Sequence, residues 1–185
     1  MSAVGTPTVT LSPGFSRARK LSRVMAVVFS IGFWMMLLAS VACLSIPFTP
    51  WLVPHGPVSV GFQGITVSLN GHSTGQLLWV LVAMEILILP LVFLMHHTRR
   101  VFGNFAKGEI FALPVIGHIR HAGLWLIVSF VANIVSQTVL GATGLMPAGQ
   151  AQGSTWPLVI GVVTYIAAYV MEEARRIAAD HAEIV

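Results

Sequence analysis

Charged side chains are the scarcest feature of this sequence. Asp, Glu, Lys and Arg together make up 9% of its 185 residues, whereas they make up about a quarter of an ordinary soluble domain. This scarcity excludes a soluble globular domain. The formal charge of +4 is carried by short clusters beside apolar runs, which is not the charged face of a nucleic-acid-binding protein. We therefore expect no nucleic acid partner.

Cysteine is also nearly absent. Cys43 is the single one in the chain, which excludes an internal disulfide and any thiolate metal cluster. The sequence lacks a Gly-rich phosphate loop after a strand, a nucleophile elbow and the helical spacing of a zinc protease. We therefore predict no catalytic residues and no enzyme activity.

Apolar runs are what the sequence has in abundance. Hydrophobic residues make up 56% of the chain, and runs of roughly 20 of them are long enough to cross a bilayer core of about 30 Å. They predict an all-α membrane protein, a bundle of four transmembrane helices at residues 24–47, 76–96, 114–145 and 156–183. Residues 17–185 form this membrane domain. Residues 1–16 are rich in Pro, Gly, Ser and Thr, and we predict a disordered cytoplasmic tail there.

A strand pattern interrupts the helical runs. Residues 48–75 contain no Lys, Arg, Asp or Glu. Within them, residues 58–62 and 65–69 alternate apolar and small side chains with a period of two, and Gln63-Gly64 separates the two segments. This alternation is typical of paired strands joined by a two-residue turn. We predict a small β-hairpin on the outer side of the membrane, between the first and second helices.

The cations indicate the orientation of the chain. Every Lys and Arg lies before the first helix, between the end of the second helix and the first turns of the third, or in the last turns of the fourth helix. The other two connections contain none. Because cytoplasmic segments carry an excess of Lys and Arg, both termini and the middle connection are predicted to be cytoplasmic. Trp51, Trp79 and Trp156 then mark the outer interface.

Two short segments carry a family resemblance. The middle connection contains Lys107-Gly-Glu-Ile-Phe111, and the third helix opens with Ile119-Arg-His-Ala-Gly123. These segments resemble the bacterial membrane family known as domain of unknown function 2975. The resemblance extends over about residues 22–185. It implies a multi-pass, four-helix protein of the bacterial cytoplasmic (inner) membrane, with no assigned activity. Ala112 stands where that family commonly has a capping Ser or Thr, so the third helix must be capped otherwise.

Glu85 is the one acidic residue inside an apolar run. A carboxylate near the centre of a membrane helix costs about 2.5 to 3.5 kcal/mol on insertion scales, so it should face the protein interior. Asn133 lies at the same depth, and we predict a polar seam of Glu85, Asn133, Gln137 and Tyr165. The seam either carries protons or small solutes in a transporter or channel, or consists of interhelical hydrogen bonds that fix the helix register.

Four histidines suggest a haem b or metal site. His96 and His97 end the second helix, while His118 and His121 lie three apart near the start of the third, so antiparallel helices bring imidazoles close together. Adjacent His96 and His97 cannot face the same site, and no carboxylate with metal-ligand spacing accompanies them. We expect no cofactor and no metal, and interpret the histidines as interfacial side chains. Haem b or a metal is the alternative.

The cytoplasmic surface is the remaining candidate for a function. Its basic, acidic and aromatic side chains predict a docking face formed by Arg99, Arg100, Phe102, Phe105, Lys107, Glu109, Phe111, Arg120, Glu172, Arg175 and Arg176. We predict that the protein binds a membrane or cytoplasmic protein or a second copy of itself, as a regulatory or sensing component or as an accessory subunit of a larger membrane assembly. A transporter and a haem-binding redox subunit are the alternatives.

Overall fold

Four long helices and one hairpin make up the described part of the chain. The computed structural model describes residues 13–52, 58–109, 112–146 and 154–182. The elements are α1 (Pro13–Cys43), a 3-10 turn (Ile46–Phe48), a short α2 (Thr49–Leu52), β1 (Ser59–Phe62), β2 (Ile65–Ser68), α3 (Thr74–Lys107), α4 (Leu113–Ala142) and α5 (Trp156–Ala182). The helices α1, α3, α4 and α5 are long and apolar enough to cross a membrane. The prediction of four such helices and a two-stranded hairpin is confirmed.

Two helices, α1 and α3, differ most in extent from the prediction. Helix α1 begins at Pro13, so it includes the basic cluster that was predicted to precede the first membrane helix. The predicted disordered tail lies outside the described residues except for residues 13–16, which are helical. Helix α3 continues past the predicted end at residue 96 to Lys107. No proline interrupts residues 97–107, and the helix stops only where Gly108 adopts a φ of 92°, which glycine accepts without strain.

The start of α3 has a complete hydrogen-bonded cap. The Ser73 hydroxyl accepts from the backbone N–H of Gln76 at 3.4 Å, and the Gln76 side-chain oxygen accepts from the backbone N–H of Ser73 at 3.0 Å. This reciprocal capping box satisfies two N–H groups that a helix end leaves open. At α4 the cap position is Ala112, which makes no side-chain cap, and a proline occupies the first turn instead.

The long helices pack in chain order as an open row. Among the described residues, the extensive helix contacts are those of α1 with α3, α3 with α4, and α4 with α5. In their most apolar segments, 44% of the residues of α3 and 33% of those of α4 are buried, against 6% for α1 and 11% for α5. The two outer helices each have a single long neighbour, so most of their apolar surface faces outward.

Neighbouring helices run antiparallel. The Arg19 Nε donates to the Ala106 carbonyl at 3.0 Å near the start of α1 and the end of α3, and Ser40 meets Glu85 further along the same pair. The same order holds for α3 with α4 and for α4 with α5. All ten Lys and Arg residues therefore lie at one end of the row, which we call the basic end. The opposite end, which carries the β-strands, is the hairpin end.

The hairpin supplies one side of the apolar core. Val60 pairs with Val67 and Phe62 with Ile65, so their side chains share one face of the two-stranded sheet. Ile65 and Val67 are each 1% exposed and belong to the same apolar cluster as buried side chains of α3. The opposite face carries Ser59, Gly61, Thr66 and Ser68, all of them exposed. The apolar positions of the predicted alternation therefore form the inner face of the hairpin, and the small positions form its open face.

The hairpin turn lies beside the helices. Gln63 and Gly64 have φ values of 51° and 82°, as the central residues of a type I′ turn do. The Gln63 side-chain oxygen accepts from Asn133 at 3.4 Å, and Asn133 precedes the end of α4 by nine residues, or about 14 Å at 1.5 Å per residue. The hairpin turn therefore lies beside α4 and not beyond its end, a detail that the prediction of an outer hairpin did not specify. Its apolar face needs burial, and the sides of α3 and α4 provide it.

Candidate functional site

Glu85 lies between α1 and α3. Its Oε2 accepts a hydrogen bond of 2.8 Å from the Ser40 hydroxyl of α1. Its Oε1 is shielded from solvent and has no hydrogen-bond partner among the described residues. A carboxyl group offers several hydrogen-bonding sites, so a single bond leaves most of them unused. Ser40 is thus the partner that sequence reasoning missed, although it lies at the depth of Glu85 on the neighbouring helix.

The predicted polar seam is divided between two sides of α3. Ser136 of α4 donates to the Ala83 carbonyl at 2.9 Å, so the Ala83 side of α3 faces α4. Glu85 follows two residues later, and successive residues of a helix are about 100° apart. Its side chain therefore points away from α4 and toward α1. The sequence predicted that Glu85 and Asn133 lie at the same depth. It did not predict that their side chains point in different directions.

The other members of the seam form a separate cluster or lie apart. The Gln137 amide donates to the Asn133 side-chain oxygen, and Asn133 donates to Gln63 of the hairpin turn. Tyr165 of α5 is 42% exposed, and among the described residues it has no hydrogen bond to Glu85, Asn133 or Gln137. A small cavity of about 260 Å³ adjoins the cluster; its lining consists of Gln63, Ser129, Phe130, Asn133, Ser154 and Pro157. The hydrogen bond from Asn133 to Gln63 joins the hairpin turn to α4.

Three of the four histidines form a contact between α3 and α4. The Nδ1 atoms of His97 and His118 are 3.1 Å apart, and the rings of His97 and His121 stack with centroids 5.0 Å apart. The His121 Nδ1 donates to the Gly117 carbonyl at 2.7 Å. Two ring nitrogens at 3.1 Å share one hydrogen, since one must accept when the other donates.

His96 faces the other side of α3. Its ring contacts that of Phe33 on α1, with centroids 5.9 Å apart, and the Arg99 guanidinium donates to its Nδ1 at 3.3 Å. The division follows from the adjacency of His96 and His97 in one helix, as predicted. No group of three or more His, Cys, Asp or Glu within the described ranges is arranged to hold a metal ion.

The predicted docking face is also divided. The ring of Phe102 stacks on Phe29 of α1 with centroids 5.3 Å apart, and Phe105 meets Phe102 edge to face. The Arg99 guanidinium lies 4.2 Å above the ring of Phe33. Arg99 and Phe102 therefore pack against α1, and Phe105 packs against Phe102. Arg100, Lys107 and Glu109 are exposed, while Phe111 lies outside the described residues.

The remaining docking residues surround a groove at the basic end. It lies between the first turns of α4 and the last turns of α5, has a volume of about 580 Å³, and is lined by Leu113, Arg120, Tyr169, Glu172, Glu173, Arg175, Arg176 and Ala179. We call it the α4–α5 groove. Arg120 and Glu172 pair across it at 3.5 Å. Arg175 and Arg176 are exposed, and neither has a carboxylate within salt-bridge distance in the described part of the chain.

A glycine contact sets the distance between α4 and α5. A Cβ atom at Gly123 would lie 2.8 Å from the backbone nitrogen of Tyr165 and 2.9 Å from the carbonyl oxygen of Gly161. A Cβ atom at Gly161 would lie 2.9 Å from the carbonyl oxygen of Gly123. The two backbones meet here with no room for a side chain, and the α4–α5 groove opens toward the basic end from this contact. This contact could not be predicted from the sequence, because glycine is common in membrane helices.

Comparison with known proteins identifies no relative of the chain. No family model matches it, and neither a curated protein nor a solved structure is significantly similar.

Proposed function

We propose that this chain is an integral protein of the bacterial cytoplasmic membrane that acts by binding another protein, as an accessory or regulatory subunit. Four helices of membrane length support the membrane setting. All Lys and Arg residues lie at one end of the molecule, which supports an orientation with the basic end and both termini in the cytoplasm. The resemblance to domain of unknown function 2975 is part of this proposal and supports the bacterial setting.

The α4–α5 groove is the observation that carries the binding role. It is a cavity of about 580 Å³ on the exposed surface of the basic end, and two of its arginines have no acidic partner in the described residues. Leu113 and Tyr169 add apolar surface beside them. Arginine and tyrosine are both enriched among the residues that dominate binding at protein interfaces.

The charges favour an acidic protein segment as the occupant. The described basic end carries ten cations against Glu109, Glu172, Glu173 and Asp180, so a negatively charged partner is attracted to it. Glu172 and Glu173 line the same groove and would repel a lipid phosphate. A protein segment that is acidic overall but carries donors of its own can pair with both signs, which a phosphate group cannot do.

The test is copurification with a matched charge control. Arg175→Gln with Arg176→Gln removes both unpaired cations of the groove, and Arg17→Gln with Lys20→Gln removes two exposed cations of α1 at the same end. We expect wild type and the α1 pair to retain a stoichiometric partner protein in mild detergent, and the groove pair to lose it. The proposal is wrong if the two double variants behave alike, or if wild type retains only anionic lipid.

A labelling experiment tests the orientation separately. In a Cys43→Ala background, Ser68→Cys places a thiol on the open face of the hairpin and Glu173→Cys places one at the basic end. We expect a membrane-impermeant maleimide to label the first in intact cells and the second only after the cells are opened. The reverse pattern contradicts the proposed orientation and leaves the binding role to be judged by copurification.

A further inference from the structure

An apolar cavity lies under the hairpin, away from the α4–α5 groove. It has a volume of about 350 Å³ and lies between the end of α1, the strand β1 and one side of α3. Its lining consists of Ala39, Ala42, Cys43, Ser45, Ile46, Thr49, Val58, Ser59, Val60, Gly61, Phe62, Leu69, Met84 and Ile88. None of these residues carries an ionisable acid or base other than the thiol of Cys43.

The size and lining of the cavity indicate an apolar occupant. The cavity is partly open to the outside, so water or an apolar chain from the surroundings can enter it. Water fills a cavity stably only where polar groups give it two to four hydrogen bonds. Two of the three lining hydroxyls already donate to backbone carbonyls, Ser45 to Ala42 and Thr49 to Ile46. The rest of the wall is mainly hydrocarbon, which matches a hydrocarbon chain.

The edge of β1 adds hydrogen-bond donors at the cavity. The Leu69 N–H donates to the Val58 carbonyl at 2.8 Å, so the bonded pairs of the antiparallel ladder are Val58 with Leu69 and then every second pair. The intervening residues Ser59 and Gly61 direct their backbone N–H and C=O groups away from β2. In the described structure the sheet has two strands only, so no third strand covers this edge, and both residues line the cavity.

We propose that this cavity binds one fatty acyl chain, with its carbonyl group accepting hydrogen bonds from the free edge of β1 at Ser59 and Gly61. The acyl chain fills the apolar space beside Met84 and Ile88, and the backbone N–H groups at the edge of β1 donate to its carbonyl oxygen. The chemistry is that of a fatty acyl carbonyl, which both a phospholipid ester and a free fatty acid provide.

The first test fills the cavity. Ala39→Phe places a large side chain in the cavity wall, and Ala167→Phe makes the same change on the exposed surface of α5. Native mass spectrometry of the purified full-length protein should show one retained acyl lipid on wild type and on Ala167→Phe, and its loss on Ala39→Phe. The mass of the retained molecule distinguishes a phospholipid from a free fatty acid. Equal retention by all three proteins, or no retained lipid on wild type, contradicts the proposal.

The second test uses the wild-type fold and the native thiol. Cys43 is the single cysteine, is 8% exposed and lines the cavity. An occupant at about ten times its Kd should slow labelling by N-ethylmaleimide about tenfold, because only the unoccupied fraction reacts. Oleate is added in one arm and a dioleoyl phospholipid in the other. Labelling of Ser68→Cys in a Cys43→Ala background, outside the cavity lining, should not change.

Protection of Cys43 by either lipid, without protection of the control thiol, supports the site and identifies the source of the chain. Unchanged labelling of Cys43 with both lipids overturns the proposal even if Ala39→Phe fails to fold. Equal slowing of both thiols also overturns it, since such slowing reflects partition of the reagent into lipid.

Discussion

The hairpin end and the basic end of the molecule are built in opposite ways. At the hairpin end, the side chains of Leu77, Val80 and Leu87 on α3 are fully buried against one another and against the strands. At the basic end, residues 172–181 of α5 are all exposed, and a groove lies between this part of α5 and α4. The difference indicates that one end stabilises the fold and that the other presents side chains to partners. Four substitutions test this division.

The largest effect is expected at the hairpin end. Leu87→Ala removes a fully buried side chain of α3, whereas Leu89→Ala removes a side chain of the same helix that is 45% exposed. We expect Leu87→Ala to lower the free energy of unfolding by about 2 to 3 kcal/mol, at the lower end of the usual range because packing rather than transfer from water is lost in a bilayer. Equilibrium unfolding in mixed micelles measures it. Equal costs at both positions would contradict the assignment of the core to this end.

The next effect concerns the contact from which the groove opens. Gly123→Ala forces a Cβ atom against the backbone of α5, and such overpacking typically costs about 1 to 3 kcal/mol. Gly117→Ala on the same helix meets nothing within 4 Å and should leave the protein equally stable or slightly more stable, because alanine favours helix. The same unfolding assay compares them. A harmless Gly123→Ala would show that α4 and α5 do not meet at this residue.

A smaller effect is expected where α1 meets α3. Ser40→Ala removes the hydroxyl that donates to Glu85, and hydrogen bonds between membrane helices contribute about 0.6 to 1.7 kcal/mol each. Ser40→Thr keeps a hydroxyl and should retain most of the stability. Comparing the free energies of unfolding of the two variants isolates the hydrogen bond from the change in packing. If both variants lose the same amount, the Ser40–Glu85 bond contributes nothing.

The smallest effect is expected at the basic end. Arg120→Gln breaks the ion pair with Glu172, in which the two side chains are 46% and 47% exposed. Exposed pairs contribute little, so the free energy of unfolding should fall by no more than about 0.5 kcal/mol. Arg175→Gln, which removes an exposed arginine without a pair, serves as the control. A loss above about 1 kcal/mol for Arg120→Gln alone would mean that the groove stabilises the fold.

The sequence predicted the elements of the fold better than their arrangement. The apolar runs predict four long helices because only a helix satisfies its own backbone in lipid. The alternation around Gln63-Gly64 predicts the hairpin because a two-residue turn fixes the register of the strands. These signals are local, and the structure agrees with them.

The facing directions of the helices could not be predicted in the same way. Helix α4 buries Ser129, Asn133 and Ser136, so its polar residues indicate which side faces the protein, but they do not indicate which neighbouring helix or strand that side meets. The depth of Glu85 was therefore predictable, but its direction toward Ser40 was not. The packing of the hairpin beside α4 was not predicted for a related reason, since the absence of charge in residues 48–75 suits an outer loop and a segment packed beside helices equally well.

The contact between Gln63 and Asn133 joins residues 70 positions apart. When a chain is inserted into the membrane from its N-terminus, the hairpin is synthesised before α3 and α4. The strands therefore lack part of their packing surface until those helices are in place. The hairpin can complete its packing only after the third long helix has been inserted. The order of synthesis therefore makes the turn at Gln63 one of the last parts of the hairpin end to reach its final place.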